Sequence, residues 1–389
     1  MIRFRPGYVL MLALFAVSAA IAKPYLPTDD SLVLERLPEK TDPSLRDVKR
    51  LRAALDRNPA DLALASRLAR RAIEAARETG DPRFVGQAQA ALSRWWTIAE
   101  PPAEALLLRA TIRQSTHDFA AALRDLDRLI ARAPNDGQAL LTRATVLTVQ
   151  GRYAEARADC ARVARVALAL VALACDASAA SLSGEAAPAY AGLETAIARS
   201  RANPDLVEWA ETLAAEIAAR RGDAAGAERH FRAALALDAR DPYLLAAYTD
   251  FLIDHGRPVE AIPLLKDYAR NDSLLLRLAL AEARIPDARE VFATHRAELE
   301  DRFAAARRRG DSLHRREEAR FTLEIGGNAA EALRLARENW AVQRESADLR
   351  ILAAAAIAAH DAGTLAEVAD WRRRNHLEDA ALTALAEAR

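Results

Sequence analysis

The chain has 389 residues, of which 51% are hydrophobic but only 5% aromatic, with 55 basic residues against 55 acidic ones. Balanced charge argues against a nucleic-acid partner, for which a clustered positive excess is expected. Alanine, leucine, arginine and glutamate dominate, and almost no Gly- or Pro-rich linker interrupts them, so the composition favours helix throughout and leaves little room for separate globular domains.

At the amino terminus Arg3 and Arg5 precede an uncharged apolar stretch from Tyr8 to Ala22, which ends in Ala20-Ile21-Ala22 before Lys23. The stretch is shorter than the about 20 apolar residues of a membrane span, so residues 1–22 read as a signal peptide cleaved after Ala22. No cysteine lies near that point, which sets a lipoprotein anchor aside. Cleavage leaves 53 basic against 55 acidic residues. It also places the mature chain in the periplasm or cell envelope with no transmembrane span. Residues 23–46 carry Pro24, Pro27, Pro38 and Pro43 around Leu32-Val33-Leu34 and Leu37. They predict an extended segment that packs on the rest of the chain in preference to a free docking strand.

From residue 47 onward the pattern is periodic. Gly151, Gly184, Gly222, Gly256 and Gly327 are each followed at the fifth place by an alanine, namely Ala156, Ala189, Ala227, Ala261 and Ala332. Gly151 and Gly184 are 33 residues apart and Gly222 and Gly256 are 34 apart, while His117 and Asp361 are assigned the same turn with Ala122 and Ala366. Nine places after the turn stand Leu126, Cys160, Leu193, Phe231, Leu265 and Ala336, one helical turn beyond the alanine on the same face. The reading is a repeated helix hairpin whose turn residue ends the first helix and whose alanine lets the two helices approach. Pro59, Pro134, Pro204 and Pro242 fall between hairpins, where a first helical turn tolerates them. A second period supports the register: Arg109 and Arg143 are 34 apart, with Asp125 and Asp159 each 16 residues further on. These predict structural ion pairs between the two helices of a hairpin.

The segment Ala139-Leu140-Leu141-Thr142-Arg143-Ala144 running into Gly151-Arg152-Tyr153-Ala154-Glu155-Ala156 resembles the tetratricopeptide-repeat (TPR) family. So does Gly222-Asp223-Ala224-Ala225-Gly226-Ala227 with Phe231-Arg232-Ala233-Ala234-Leu235. The resemblance, to a bacterial exported TPR protein, implies an all-α fold, a right-handed α-solenoid of stacked helix hairpins over residues 47–389. Repeats are regular over 103–268, irregular over 271–312, where the turn glycine is missing, and degenerate over 313–375. About eight to ten are expected. The family's usual first-helix aromatic is replaced by Leu106, Leu140 and Leu245.

Little else suggests chemistry. Cys160 and Cys175 flank a turn near Ala167–Leu168 at equal height on two antiparallel helices, so a disulfide and a pair of buried thiols remain equal alternatives. The histidines at 117, 230, 255, 295, 314, 360 and 376 form no same-face pair and no HExxH, so no metal site is expected. No GxGxxG, GxxxxGK[ST] or GxSxG occurs, and neither a cofactor nor an enzymatic activity is expected. Arg307-Arg308-Arg309 and Arg372-Arg373-Arg374 lie near predicted helix ends, where cations complement the helix dipole. Trp95, Trp96, Trp340 and Trp371 read as gap fillers in irregular repeats.

The first helices of such a solenoid line its inner surface, where TPR relatives take peptides or helices. Projected onto this chain the resemblance implies Leu107, Thr111, Gln114, Gln138, Leu141, Thr145, Thr148, Thr212, Glu216, Tyr243 and Asp250 as a partner-binding face, largely neutral in character. Lysine and asparagine, which relatives use to hold a terminal carboxylate, are missing there. Two function classes follow. A scaffold in the cell envelope that binds a protein segment should have an open groove without buried titratable groups. A small-ligand-binding or accessory subunit of an envelope complex should have an enclosed pocket with convergent polar side chains.

Overall fold

The structure is a computed structural model that describes residues 43–311 and 313–387. The signal peptide and all but the last residues of the extended segment lie outside the described residues. Helix begins at Pro43, so residues 43–46 belong to the first helix and not to an extended strand.

That helix, α1 (Pro43–Arg57), stands before nine hairpins. The first pairs α2 (Leu62–Thr79) with α3 (Arg83–Ala91) and the single turn α4 (Ser93–Trp96). Next come α5 (Ala103–Ser115) with α6 (Phe119–Arg132), α7 (Gly137–Val149) with α8 (Tyr153–Val163), and α9 (Ala169–Ala180) with α10 (Ala186–Arg199). They are followed by α11 (Pro204–Arg220) with α12 (Ala224–Leu237) and α13 (Pro242–Asp254) with α14 (Pro258–Leu265). The last three pair α15 (Asp272–Glu282) with α16 (Arg289–Arg308), α17 (Arg315–Glu324) with α18 (Ala329–Trp340), and α19 (Ser346–Ala358) with α20 (Ala362–Arg374). A final helix, α21 (Ala380–Glu387), closes the series, and no strand occurs among the described residues. The fold is an all-α, TPR-like solenoid.

Two local devices set most hairpins. A left-handed residue ends the first helix, with φ of +73° at Gly151, +87° at Gly184, +78° at Gly222, +71° at Gly256 and +65° at Gly327. An Asp or Asn then caps the second helix in several repeats: Asp118, Asp223, Asn328 and Asp361 accept the N–H of Ala121, Gly226, Glu331 and Thr364. Each such cap is worth about 1 kcal/mol. His117 takes the glycine's place with φ +58°, but in the last hairpin the left-handed residue is His360 and not Asp361, which is the cap. In that last helix Ala366 is exposed, and the buried positions are Thr364 and Val368. The stripe Leu126, Cys160, Leu193, Phe231, Leu265 and Ala336 is buried throughout, as are Leu106, Leu140 and Leu245.

The arginine–aspartate period makes the ties expected of it. Arg109 grips Asp125 with two hydrogen bonds of 2.8 Å, and its remaining amino group donates to the carbonyls of Trp95, Trp96 and Ile98 at the end of the preceding hairpin. Arg143 grips Asp159 in the same way with two bonds of 2.7 Å. Cys160 on α8 and Cys175 on α9 are joined as a disulfide with Cα atoms 5.5 Å apart. In the irregular stretch α15 and α16 still form a hairpin, turning through a 3₁₀ segment, Pro286–Ala288, in place of a glycine.

The solenoid winds tightly enough for early turns to meet late loops. Arg344 N–H donates to the carbonyl of Val149 at 2.7 Å, and Gln343 reaches His117 at 3.4 Å. Trp371 lies against Gly151, and His376 lies against Gly184. One apolar cluster accordingly contains Leu147, Tyr153 and Leu182 together with Leu349, Leu352 and Val368. Trp371 also meets Trp340 edge to face at 5.1 Å between ring centres, while Arg344 stacks on its face. Trp371 therefore joins distant parts of the coil, a larger role than gap filling.

Candidate functional site

First helices face inward, and because the coil winds back on itself they line a half-open chamber. The cavity that touches the most helices, the main cavity in that sense, is about 590 Å³ and is lined by residues of α2, α7, α9, α11, α13, α15, α17 and α19 or of the segments that cap them. A second cavity of about 760 Å³ continues between α13, α15, α17, α19 and α21, and a smaller one of about 340 Å³ lies between α11, α13, α19 and α21. All three share Asp250 and Ala347, so they are parts of one interior space.

Four of the residues projected onto the inner face meet here: Thr148, Glu216, Tyr243 and Asp250 line the main cavity. The others do not line it. Leu107 and Leu141 are half-buried against an apolar cluster between the hairpins, and Thr212 is buried with its hydroxyl on Glu208 at 2.9 Å. Thr111 and Thr145 turn their hydroxyls back onto their own helix, to the carbonyls of Leu107 and Leu141. Gln138 sits near Thr142 at 3.4 Å, and Gln114 is half-buried on α5.

The chamber is not the neutral surface expected of it. Asp250 stands between Arg277 at 2.7 Å and Arg320 at 2.6 Å. Burial would raise its carboxyl, but the two guanidinium groups outweigh that and hold it below the usual range. Arg316 reaches Glu345 at 2.8 Å and Asp348 at 3.4 Å, and Arg350 reaches Asp379 at 2.9 Å. Asp348 is buried with Asn339 on its Oδ1 at 2.7 Å, and desolvation, eased by Arg316, lifts its pKa to about 6. The hydroxyl of Tyr243 donates to Glu216 at 2.9 Å. The charge of Glu216 pushes the phenol up, while burial pushes Glu216 itself above the carboxylate range.

Three groups remain without an ionic partner among the described residues. Arg220, at the end of α11, donates one bond to Ser181 Oγ at 2.9 Å, and its Nε is buried with no acceptor. Desolvation lowers its pKa against the pull of Glu216 and Asp379. Asp254, an exposed side chain at the cavity edge, has its carboxyl raised by partial desolvation among the surrounding helices and then by the charge of Asp250. Glu216 has only the tyrosine.

The sequence held a signal for much of this lining that the glycine register did not use. Arg316 and Arg350 are 34 residues apart, and Glu345 and Asp379, each 29 residues further on, repeat the same tie from one first helix to the cap of the next. A separate buried chain runs from Glu211 through His230 Nδ1 at 2.5 Å and from His230 Nε2 to Tyr190 at 3.0 Å. It joins α10, α11 and α12 and lines none of the three cavities. Among the described residues no group of three or more His, Cys, Asp or Glu side chains could hold a metal ion, and no helix is long and apolar enough to cross a membrane.

No family model matches the sequence, and no curated protein matches it. Among solved structures, the APC/C hetero-tetramer Cut9–Hcn1 aligns at 14% identity and a TM-score of 0.43, over 80% of this chain and 52% of that one. This chain thus spans about half the length of that protein. An IFIT1 monomeric mutant with Gppp-AAAA aligns at 14% identity and a TM-score of 0.43, over 89% of this chain and 85% of that one. A tetratricopeptide repeat protein from Parabacteroides merdae aligns at 13% identity and a TM-score of 0.32, over 80% and 92%. The fold assignment rests on the hairpins and their turns, not on these alignments.

Proposed function

We propose that this protein is a non-catalytic protein-interaction scaffold of the cell envelope, which holds a segment of a partner protein in the chamber lined by its first helices. The observation that carries this reading is the meeting of Thr148, Glu216, Tyr243 and Asp250, from three different hairpins, on one cavity of about 590 Å³. Tyr243 remains 59% exposed there, an amphipathic ring offered from the wall. Most chamber charges are satisfied by each other, which favours holding a segment through shape and hydrogen bonds over attacking it chemically. The partner is taken to be protein and not nucleic acid, in keeping with the balanced charge. The apolar leader over 1–22 and the Cys160–Cys175 disulfide support an exported, oxidising location. Amino-terminal sequencing of the protein from fractionated cells is expected to read from Lys23.

The test is photo-cross-linking in intact cells with the reactive side chain at Tyr243, followed by identification of the adducts. Capture of one protein, or of very few, is the expected result. Recovery of self-complexes alone, while small molecules raise the melting temperature, overturns the scaffold in favour of a small-ligand-binding or accessory subunit. That second reading is favoured by one observation, the convergence of Arg220, Glu216 and Asp254 on the cavity of about 340 Å³.

A further inference from the structure

The cavity of about 340 Å³ lies at the small end of ligand pockets and has a polar side and an apolar side. Its apolar side is made by Phe231, Phe251 and the alanines of α13, α19 and α21. On the polar side, two of the five charged side chains are already neutralised. Asp250 is held by Arg277 and Arg320, and Arg350 by Asp379. What remains is one guanidinium, Arg220, and two carboxyls, Glu216 and Asp254, none of them in an ion pair among the described residues.

A partly desolvated charge without a counterion is unfavourable, and a buried guanidinium N–H without an acceptor adds to that. Both signs occur here in one small space, so a ligand of a single charge would satisfy one group and repel the other. We infer that this cavity binds a compact zwitterion, an α-amino acid or dipeptide, with its carboxylate on Arg220, its ammonium between Glu216 and Asp254, and a small apolar side chain against Phe231 and Phe251. Ser181 already occupies one amino group of Arg220 and fixes the plane of the fork, leaving the other amino group for a carboxylate. The inference rests on the small-ligand reading given above and extends it to a chemical class.

The experiment is thermal shift and calorimetry on the full mature chain. The panel contains the standard L-amino acids, a set of dipeptides, succinate as a pure carboxylate and putrescine as a pure amine. The best binder is then compared with its N-acetyl and C-amide derivatives. A zwitterion is expected to raise the melting temperature, and blocking either end is expected to weaken binding at least about tenfold, the usual effect of losing one charged hydrogen bond. In Arg220→Gln the acid and the amide should bind alike. The comparison of ligand derivatives on the unaltered protein decides the matter if that variant does not fold. If the blocked derivatives bind as well as the parent, or only succinate or putrescine binds, the zwitterion falls and the small-ligand reading stands. If nothing in the panel binds, both fall.

Discussion

Arg109 and Asp125 are 3% and 1% exposed, and three backbone carbonyls share the same guanidinium. Arg109→Ala leaves the carboxylate with Arg113, at 2.6 Å, as its remaining partner and orphans those carbonyls. A loss of about 3 to 5 kcal/mol in urea unfolding is expected, as for a buried pair with one partner removed. Arg143→Ala should cost less, because its guanidinium is half-buried and Asp127 beside it is exposed. Glu208 supplies a pH dependence. Burial lifts its pKa to about 7, so the folded state holds the proton more tightly than the unfolded chain, and stability falls as pH rises from about 4.5 to about 7. Glu208→Gln is expected to remove that slope and to be the more stable protein above pH 7, by at most about 3 kcal/mol, in a set of denaturation curves across pH. At this scale the sequence was partly readable. The 34-residue step of Arg109 and Arg143 could be seen because both partners lie within one hairpin. The step of Arg316 and Arg350 escaped because its partners lie across hairpins, and the missing glycine at His360 let the register slip by one.

Helices and turns follow closely from local chemistry. Apolar spacing, a left-handed residue and an Asp or Asn cap recur in most hairpins, so the two helices of such a unit are specified by some thirty consecutive residues. The stretch 271–312 was legible only as a break in phase. There a 3₁₀ turn replaces the glycine, and the 20-residue α16 is anchored by Arg302 on the carbonyl of Ala269 and on Asp272. The disulfide ties neighbouring hairpins across a sequence separation of 15, and a loop of that size corresponds to about 3 kcal/mol in the chain-entropy account. Cys160→Ser with Cys175→Ser should therefore lower the midpoint of chemical unfolding and leave helical circular dichroism intact. Spacing alone could place the two sulfurs at equal height, but their orientation depends on how α8 and α9 cross, which single-helix patterns do not encode.

The closing of the coil was not legible at all, since it depends on the sum of small rotations over many hairpins, and no local pattern reports such a sum. Its consequence for the candidate site is large. An open ribbon would have presented Leu107, Thr111, Gln114 and Gln138 to a partner on the same terms as Tyr243. The closed one gathers only the later positions around a charged interior. Trp371→Ala tests the closure. The ring is half-buried against Gly151 and Trp340, so a loss of about 2 kcal/mol is expected, below that of a full core position. Hydrogen exchange should rise in α19 to α21 and around Gly151 together. If only α20 responds, the contact is not holding the coil shut.

Repeat proteins commonly change length by gaining or losing whole units, because in an open ribbon each unit answers only to its neighbours. Here Gly151 faces Trp371 and Gly184 faces His376 across some two hundred residues of chain. Duplicating or deleting any hairpin between them would carry those partners past each other by a fraction of a revolution. The number of units is thus locked in the manner of threads on a screw, and lineages of this protein should vary at its outer surfaces and ends while keeping the count in between constant.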